Sequence, residues 1–143
     1  MLRLLLVFVI VLSLVATSGC AINRASASAD PSLRCEAIKT VHVRFRNGDD
    51  RGTQNLIIEK FLASGFVVSA DPASNPQADA VVTYHDQWLW DITWYMVELT
   101  VTVREPITDF PLASGHSTHT SLTRKSPKEM VDEVVDNLLK QCR

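Results

Sequence analysis

Ala78-Asp79-Ala80-Val81-Val82-Thr83-Tyr84-His85-Asp86-Gln87-Trp88-Leu89-Trp90 and, after a short break, Tyr95-Met96-Val97-Glu98-Leu99-Thr100-Val101-Thr102-Val103-Arg104 decide the fold. In the second run Tyr95, Val97, Leu99, Val101 and Val103 alternate with Met96, Glu98, Thr100, Thr102 and Arg104. In the first, Ala80, Val82, Tyr84, Trp88 and Trp90 form the apolar set, with Asp86 as the exception. Period-two alternation marks strands with one buried face. A turn at Asp91-Ile92 pairs Tyr84 with Leu99, Val82 with Val101 and Trp88 with Tyr95, so both apolar sets share one face. A slip of two residues keeps this parity and a slip of one destroys it. The parity puts Trp88 and Tyr95 in the core and Trp94 and Met96 on the opposite, solvated face.

Working outward, Thr40 to Arg46 alternates, with Val41, Val43 and Phe45 on one side and His42, Arg44 and Arg46 on the other. Arg51 to Ser64 carries Leu56, Ile57, Lys60 and Phe61 at helical spacing, and Gly65 stands where a C-terminal cap belongs. Phe66-Val67-Val68 reads as a short strand, and the proline-containing stretch 71–76 as a loop. Leu112 to Leu122 is a strand of Ala, Ser, Gly, His and Thr whose small residues imply a helix packed closely above it. Ser126-Pro127-Lys128-Glu129 combines a capping box with proline at the first helical position. The helix that follows has an apolar stripe of Met130, Val131, Val134, Val135, Leu138, Leu139 and Cys142. The order β-α-β-β-β-β-α predicts an α+β two-layer sandwich, a mostly antiparallel sheet with two helices on one face. The other face, with Thr83, His85, Thr100 and Thr102 beside His42 and Arg44, is expected to be solvated.

The N-terminus carries an address. Arg3 precedes the apolar run Leu4 to Leu12, which is too short for a bilayer-spanning helix of ~20 residues. Thr17-Ser18-Gly19-Cys20 follows and resembles the lipobox of bacterial lipoproteins, although Thr17 replaces the usual Leu. The resemblance implies a signal peptide over 1–19 and a Cys20 carrying diacylglycerol on sulfur and an acyl group, such as palmitate, on its amine. Several acyl chains, at roughly 0.8 kcal/mol per buried CH₂, make a permanent anchor. Ala21 is not the Asp that marks inner-membrane retention, which points to the outer membrane, facing the periplasm. The Ala/Ser-rich stretch within 20–34 reads as a flexible tether, leaving 35–143 as a single periplasmic domain.

Cys35 and Cys142 remain, one at each end of that domain. In an oxidising compartment they are expected to form a disulfide. Net charge is −2 over the whole chain. Arg44-Phe45-Arg46 and Arg124-Lys125 are too short to make the basic footprint that nucleic acid requires.

Thr83-Tyr84 and Trp90-Asp91 at a hairpin followed by Tyr95, behind a lipobox, resemble an uncharacterised family of small Gram-negative lipoproteins. The element order is more distantly similar to the N-terminal domain of TolB and to lipoprotein activators of peptidoglycan synthases. Neither resemblance implies catalytic residues.

His116-Ser117-Thr118-His119 does not suit a metal, since residues three apart on a strand face opposite sides. Ser114-Gly115-His116-Ser117 lacks a nucleophile elbow, and the chain has no phosphate-binding glycine loop. The expectation is therefore a non-enzyme without cofactor or metal. It would be anchored to the membrane by lipid and engage another envelope protein. The alternatives are a glycan- or small-ligand-binding module and, last, an enzyme of unknown type. The candidate binding residues are Trp90, Trp94 and Met96 at the hairpin end, where aromatic side chains offer an apolar body with a polar edge.

Overall fold

The structure is a computed structural model that describes residues 21–71 and 77–142. The signal peptide expected over 1–19 and the acylated Cys20 lie outside the described residues. The strands are β1 (Asn23–Ala29), β2 (Thr40–Val43), β3 (Val67–Ser69), β4 (Ala80–Asp91), β5 (Thr93–Arg104) and β6 (Pro111–His119). The helices are α1 (Thr53–Ala63) and α2 (Pro127–Lys140). One six-stranded sheet runs in the order β1-β6-β5-β4-β2-β3. The pairs β4–β5, β5–β6 and β1–β6 are antiparallel, whereas β2 lies parallel to both β3 and β4. This is the α+β architecture expected from the sequence.

Local chemistry accounts for both helices. The Asp49 carboxylate accepts from the backbone N–H groups of Thr53 and Gln54 at 2.9 and 2.7 Å, satisfying two donors that the first turn of α1 leaves open. Gly65 at φ +92° ends α1 in the left-handed region, with Phe66 N–H returning to the Phe61 carbonyl. At α2 the capping box is formed by Ser126 and Glu129, and Pro127 opens the helix. The buried residues Met130, Val131, Val134, Val135 and Leu138 meet Val41, Val43, Val82, Tyr84, Leu99 and Val101 of the sheet and Ile57 and Phe61 of α1 in one core.

Three expectations change. The stretch expected to be tether contains β1, which pairs along its whole length with β6, from Asn23↔His119 to Ala29↔Ala113. Its period is two: Arg24, Ser26 and Ser28 lie on one side, and Ala27 and Ala29 pack against the core on the other. His42, expected on the solvated face, is buried and bonded to Ser69 at 3.0 Å. Strand β2 lies inside the sheet between β3 and β4, and the neighbouring Ser69 of β3 bonds the ring. Burial and the Arg44 charge hold the His42 imidazole below its ordinary pKa, against the opposing pull of Asp71. The strand also ends at Val43, and Phe45, expected inside, is exposed.

The small residues of β6 do admit a close helix. A Cβ on Gly115 would stand 2.9 Å from side-chain atoms of both Leu138 and Val134 and 3.1 Å from the Val134 carbonyl oxygen. Side chains can yield, but the helix backbone cannot yield cheaply. Gly115→Ala should therefore destabilise the domain by about 1–3 kcal/mol, and Gly115→Val by more, measured as a fall in denaturation midpoint.

Candidate functional site

The β4–β5 hairpin places the aromatic residues. From Val81↔Arg104 to Gln87↔Glu98 the ladder is regular, and Tyr84 faces Val101, not Leu99. That is the slip of two residues that keeps both apolar sets on one face. Beyond Gln87 the register shifts, so Trp88 faces Met96 and Trp90 faces Trp94. Val97 is the extra residue of this bulge, and it exchanges the two faces of β5 from there to the turn.

The exchange overturns one candidate. Met96, expected on the solvated face, is 0 % exposed in the core. Tyr95, expected in the core, turns to the other face, where the Arg124 guanidinium lies 4.1 Å above its ring. Trp90 and Trp94 are exposed, at 60 % and 52 %. Trp94, expected on the solvated face, is turned by the same exchange to the helix side of the sheet, where Trp90 lies, and both stay exposed there. Arg51, just before α1, stacks its guanidinium against both Trp88 and Trp94, 4.7 and 4.5 Å from the ring centres.

A polar cluster sets this end on α1. Asp86, the exception in the apolar stripe, is buried and pairs with Arg46; its carboxylate also accepts from Thr53 Oγ1 at 2.7 Å and from Trp88 Nε1 at 2.8 Å. Tyr84 donates its hydroxyl to Asp49 at 2.8 Å. Burial and that neighbouring carboxylate push the Tyr84 phenol well above its ordinary pKa. Burial works against ionisation of Asp49, but the N–H groups of Gln54 and Thr53 and the Tyr84 hydroxyl outweigh it and hold the carboxyl below its usual range.

A second surface is the helix-free side of the sheet. Register aligns Arg24, Thr118, Glu98 and Gln87 in one row. The next row is Ser26, His116, Thr100 and His85, and the third is Ser28, Ser114, Thr102 and Thr83. All twelve side chains are polar and none is buried. Thr100 bonds His116 Nδ1 at 3.0 Å, Thr102 bonds Ser114 at 3.3 Å, and Arg104 Nε donates to Thr83 at 3.0 Å. The grid is internally tied by these bonds, which gives a partner fixed donors and acceptors. Sequence reasoning recognised Thr83, His85, Thr100 and Thr102 here but missed the contribution of β1.

His116 and His119 take opposite faces, as strand geometry requires. His119 is fully buried beneath α2, and its Nε2 lies 2.8 Å from Glu133. Ser117 Oγ donates to the same Glu133 oxygen at 2.6 Å, and Lys125 pairs with the other. Ser117 and His119 thus converge on one carboxylate instead of bonding each other, and they tie α2 to β6. Burial disfavours the Glu133 anion, but the bonds from Lys125, Ser117 and His119 prevail and bring its pKa down to about 2. Its stabilisation should be complete above the ordinary carboxylate value of 4.5 and be lost as pH falls toward 2. Glu133→Gln should lower stability at neutral pH and flatten the acid limb across that window, as read by denaturant titration at several pH values.

At the opposite end, Cys35 and Cys142 form the expected disulfide, with Cα atoms 5.5 Å apart. Beside it lies a cavity of about 250 Å³ lined by Leu33, Ile38, Phe61, Phe66 and Leu138, among others. Its lining contains neither His nor Asp. No described group of three or more His, Cys, Asp or Glu side chains is arranged to hold a metal ion, and no described helix is long and apolar enough to cross a membrane.

No protein-family model matches the chain, and no curated protein sequence matches it. Solved structures do share its fold. A PelC dodecamer from Paraburkholderia phytofirmans superposes with a TM-score of 0.61 at 16% identity, covering 85% of this chain and 99% of PelC. A PDZ domain protein from Parabacteroides distasonis superposes at 0.53 with 9% identity, over 82% of this chain and 34% of that one. A minor lipoprotein from Acinetobacter baumannii overlays at 0.36 with 15% identity, over 73% and 90% of the two chains, and carries no argument. At these identities the likeness is one of fold. None of the three is a TolB or synthase-activator module, so that distant resemblance gains no support.

Proposed function

We propose that this chain is a lipid-anchored accessory protein of the bacterial envelope, tethered through Cys20 on the periplasmic side of the outer membrane. Its domain binds an envelope protein and performs no catalysis. The observation that carries this reading is the helix-free face, where twelve polar side chains from β1, β6, β5 and β4 form an ordered grid. The sequence supports the anchor, since a charged residue, an apolar run and Ser18-Gly19-Cys20 stand in that order. The partner is an envelope protein or a second copy of this chain. PelC, which shares the fold, forms a dodecamer.

Two measurements test the reading. Cys20→Ala should release the protein from the membrane fraction or stop its maturation, and unchanged partition with unchanged processing would end the anchor assignment. A photo-crosslinker at His85, exposed on the grid, should capture a discrete partner in cells, whereas one at Glu59 on the exposed side of α1 should not. Bands at multiples of the chain's own mass would identify a second copy. Equal capture at both positions, or none at either, would remove the grid as the binding face.

A further inference from the structure

We propose that the β4–β5 turn is a membrane-contact surface and that its partner is the lipid bilayer itself. This rests on the lipid-anchor reading above and adds which part of the domain touches the membrane.

The first observation is where the chain leads. Strand β1 begins on the hairpin side of the sheet, where Asn23 pairs with His119, and Ile22 just before it is fixed there, its N–H donating to Thr120 Oγ1 at 3.0 Å and its carbonyl accepting from Thr120 N–H at 3.1 Å. Arg124, in the same segment as Thr120, bonds Asp91 at 2.8 Å and Thr93 at 3.2 Å across the turn. Cys20 is two residues before Ile22, a reach of at most about 7 Å. An anchor at Cys20 therefore brings this end of the domain to the bilayer surface.

The second observation is what that end displays. Ile92 at the tip is 84 % exposed, Trp90 and Trp94 are exposed beside it in the hairpin with Leu89, and Leu122 and Ile22 are exposed in the two segments that Thr120 joins. Exposed apolar side chains from three separate segments thus share this end of the domain. Tryptophan favours the level of lipid headgroups, where its ring is partly buried and its N–H stays hydrated. Arg51 stacks on Trp94 and Arg124 pairs with Asp91, so cationic groups flank the apolar tip where phosphate headgroups lie.

The third observation is strain. Ile92 has φ +63°, a conformation that β-branched residues rarely adopt and that Asn, Asp or Gly accept at less cost. A folding requirement alone would favour one of those residues. An apolar side chain projecting from the tip into lipid gives Ile92 a use.

The three tryptophans of the chain all lie in this hairpin, so intrinsic fluorescence reports on it alone. The test uses the full lipidated protein in vesicles of phosphatidylethanolamine and phosphatidylglycerol with brominated acyl chains. In a chain retaining only Trp90 (Trp88→Phe, Trp94→Phe), bromine should remove about half the emission, as expected for an interfacial ring. In a chain retaining only Trp88, which bonds Asp86 beneath Arg51, the loss should be small. Vesicle-bound protein whose Trp90 escapes bromine but is quenched by aqueous iodide would overturn the proposal and leave the anchor intact. Trp90 shielded from both quenchers would mean that another protein copy or a glycan covers the tip, and would also overturn it. Protein that stays off vesicles with Cys20 unmodified by mass spectrometry would overturn the anchor reading itself, and this proposal with it.

Discussion

Replacing Cys35 and Cys142 with Ser should lower the unfolding free energy by about 4–5 kcal/mol, the value that chain entropy gives for a loop of this length. The bridge closes 107 residues of sequence separation, from the turn before β2 to the end of α2. Every core strand except β1 lies inside that loop. Without the bridge the unfolded chain gains conformations while the native core keeps its contacts. The loss should appear as a lower denaturation midpoint, together with a steeper denaturant dependence because the unfolded state expands. The native circular dichroism should not change. Reductant should reproduce the effect in the natural chain and have no effect in the double variant. A loss well below 2 kcal/mol would mean that the unfolded chain already holds its ends together.

The disulfide was legible because Cys142 continues an apolar helical stripe and Cys35 immediately precedes the first strand of the predicted domain. The hairpin was legible for a similar reason, since two alternating runs must bury their apolar faces together. The structure differs where a single residue changes the count. Val97 inserts into β5, and everything from there to the turn exchanges faces, which takes Met96 into the core and Tyr95 out of it. Nothing in Tyr95-Met96-Val97 marks that insertion, because all three residues suit either face of a strand. The burial of His42 is not legible from alternation, because it depends on Ser69 of β3, which pairs beside it only in the folded sheet. Strand β1 was missed for want of large apolar residues. Its alternation of Ala with Arg or Ser was nonetheless visible, and alanines suffice where α2 packs close to the sheet. The polar grid depends on register across four strands, which no single segment encodes.

Asp86 was the one polar residue in an apolar stripe, and its removal is the second large effect. Asp86→Ala should cost about 3–5 kcal/mol, the range for breaking one side of a buried charged pair. The carboxylate receives three donors from separate parts of the chain: the Arg46 guanidinium, the Thr53 hydroxyl at the start of α1 and the Trp88 indole. Alanine leaves all three without this acceptor, and Arg46, which also lies 5.4 Å from the Tyr84 ring centre, loses its paired carboxylate and is left with the more remote attraction of Asp49. Asp86→Asn should cost less, because an amide oxygen still accepts from Thr53 or Trp88. Pairing Asp86→Leu with Arg46→Met should recover much of the loss, since an apolar pair leaves no buried charge behind. The effect should also reach the hairpin end. Trp88 is held by Asp86 on one side and by Arg51 on the other, and Arg51 in turn covers Trp94. Loosening Trp88 frees Arg51, so Asp86→Ala should shift and broaden tryptophan emission below the unfolding transition. Equal stability losses for Asp86→Ala and the double replacement would show that the site's value lies in packing and not in its charge.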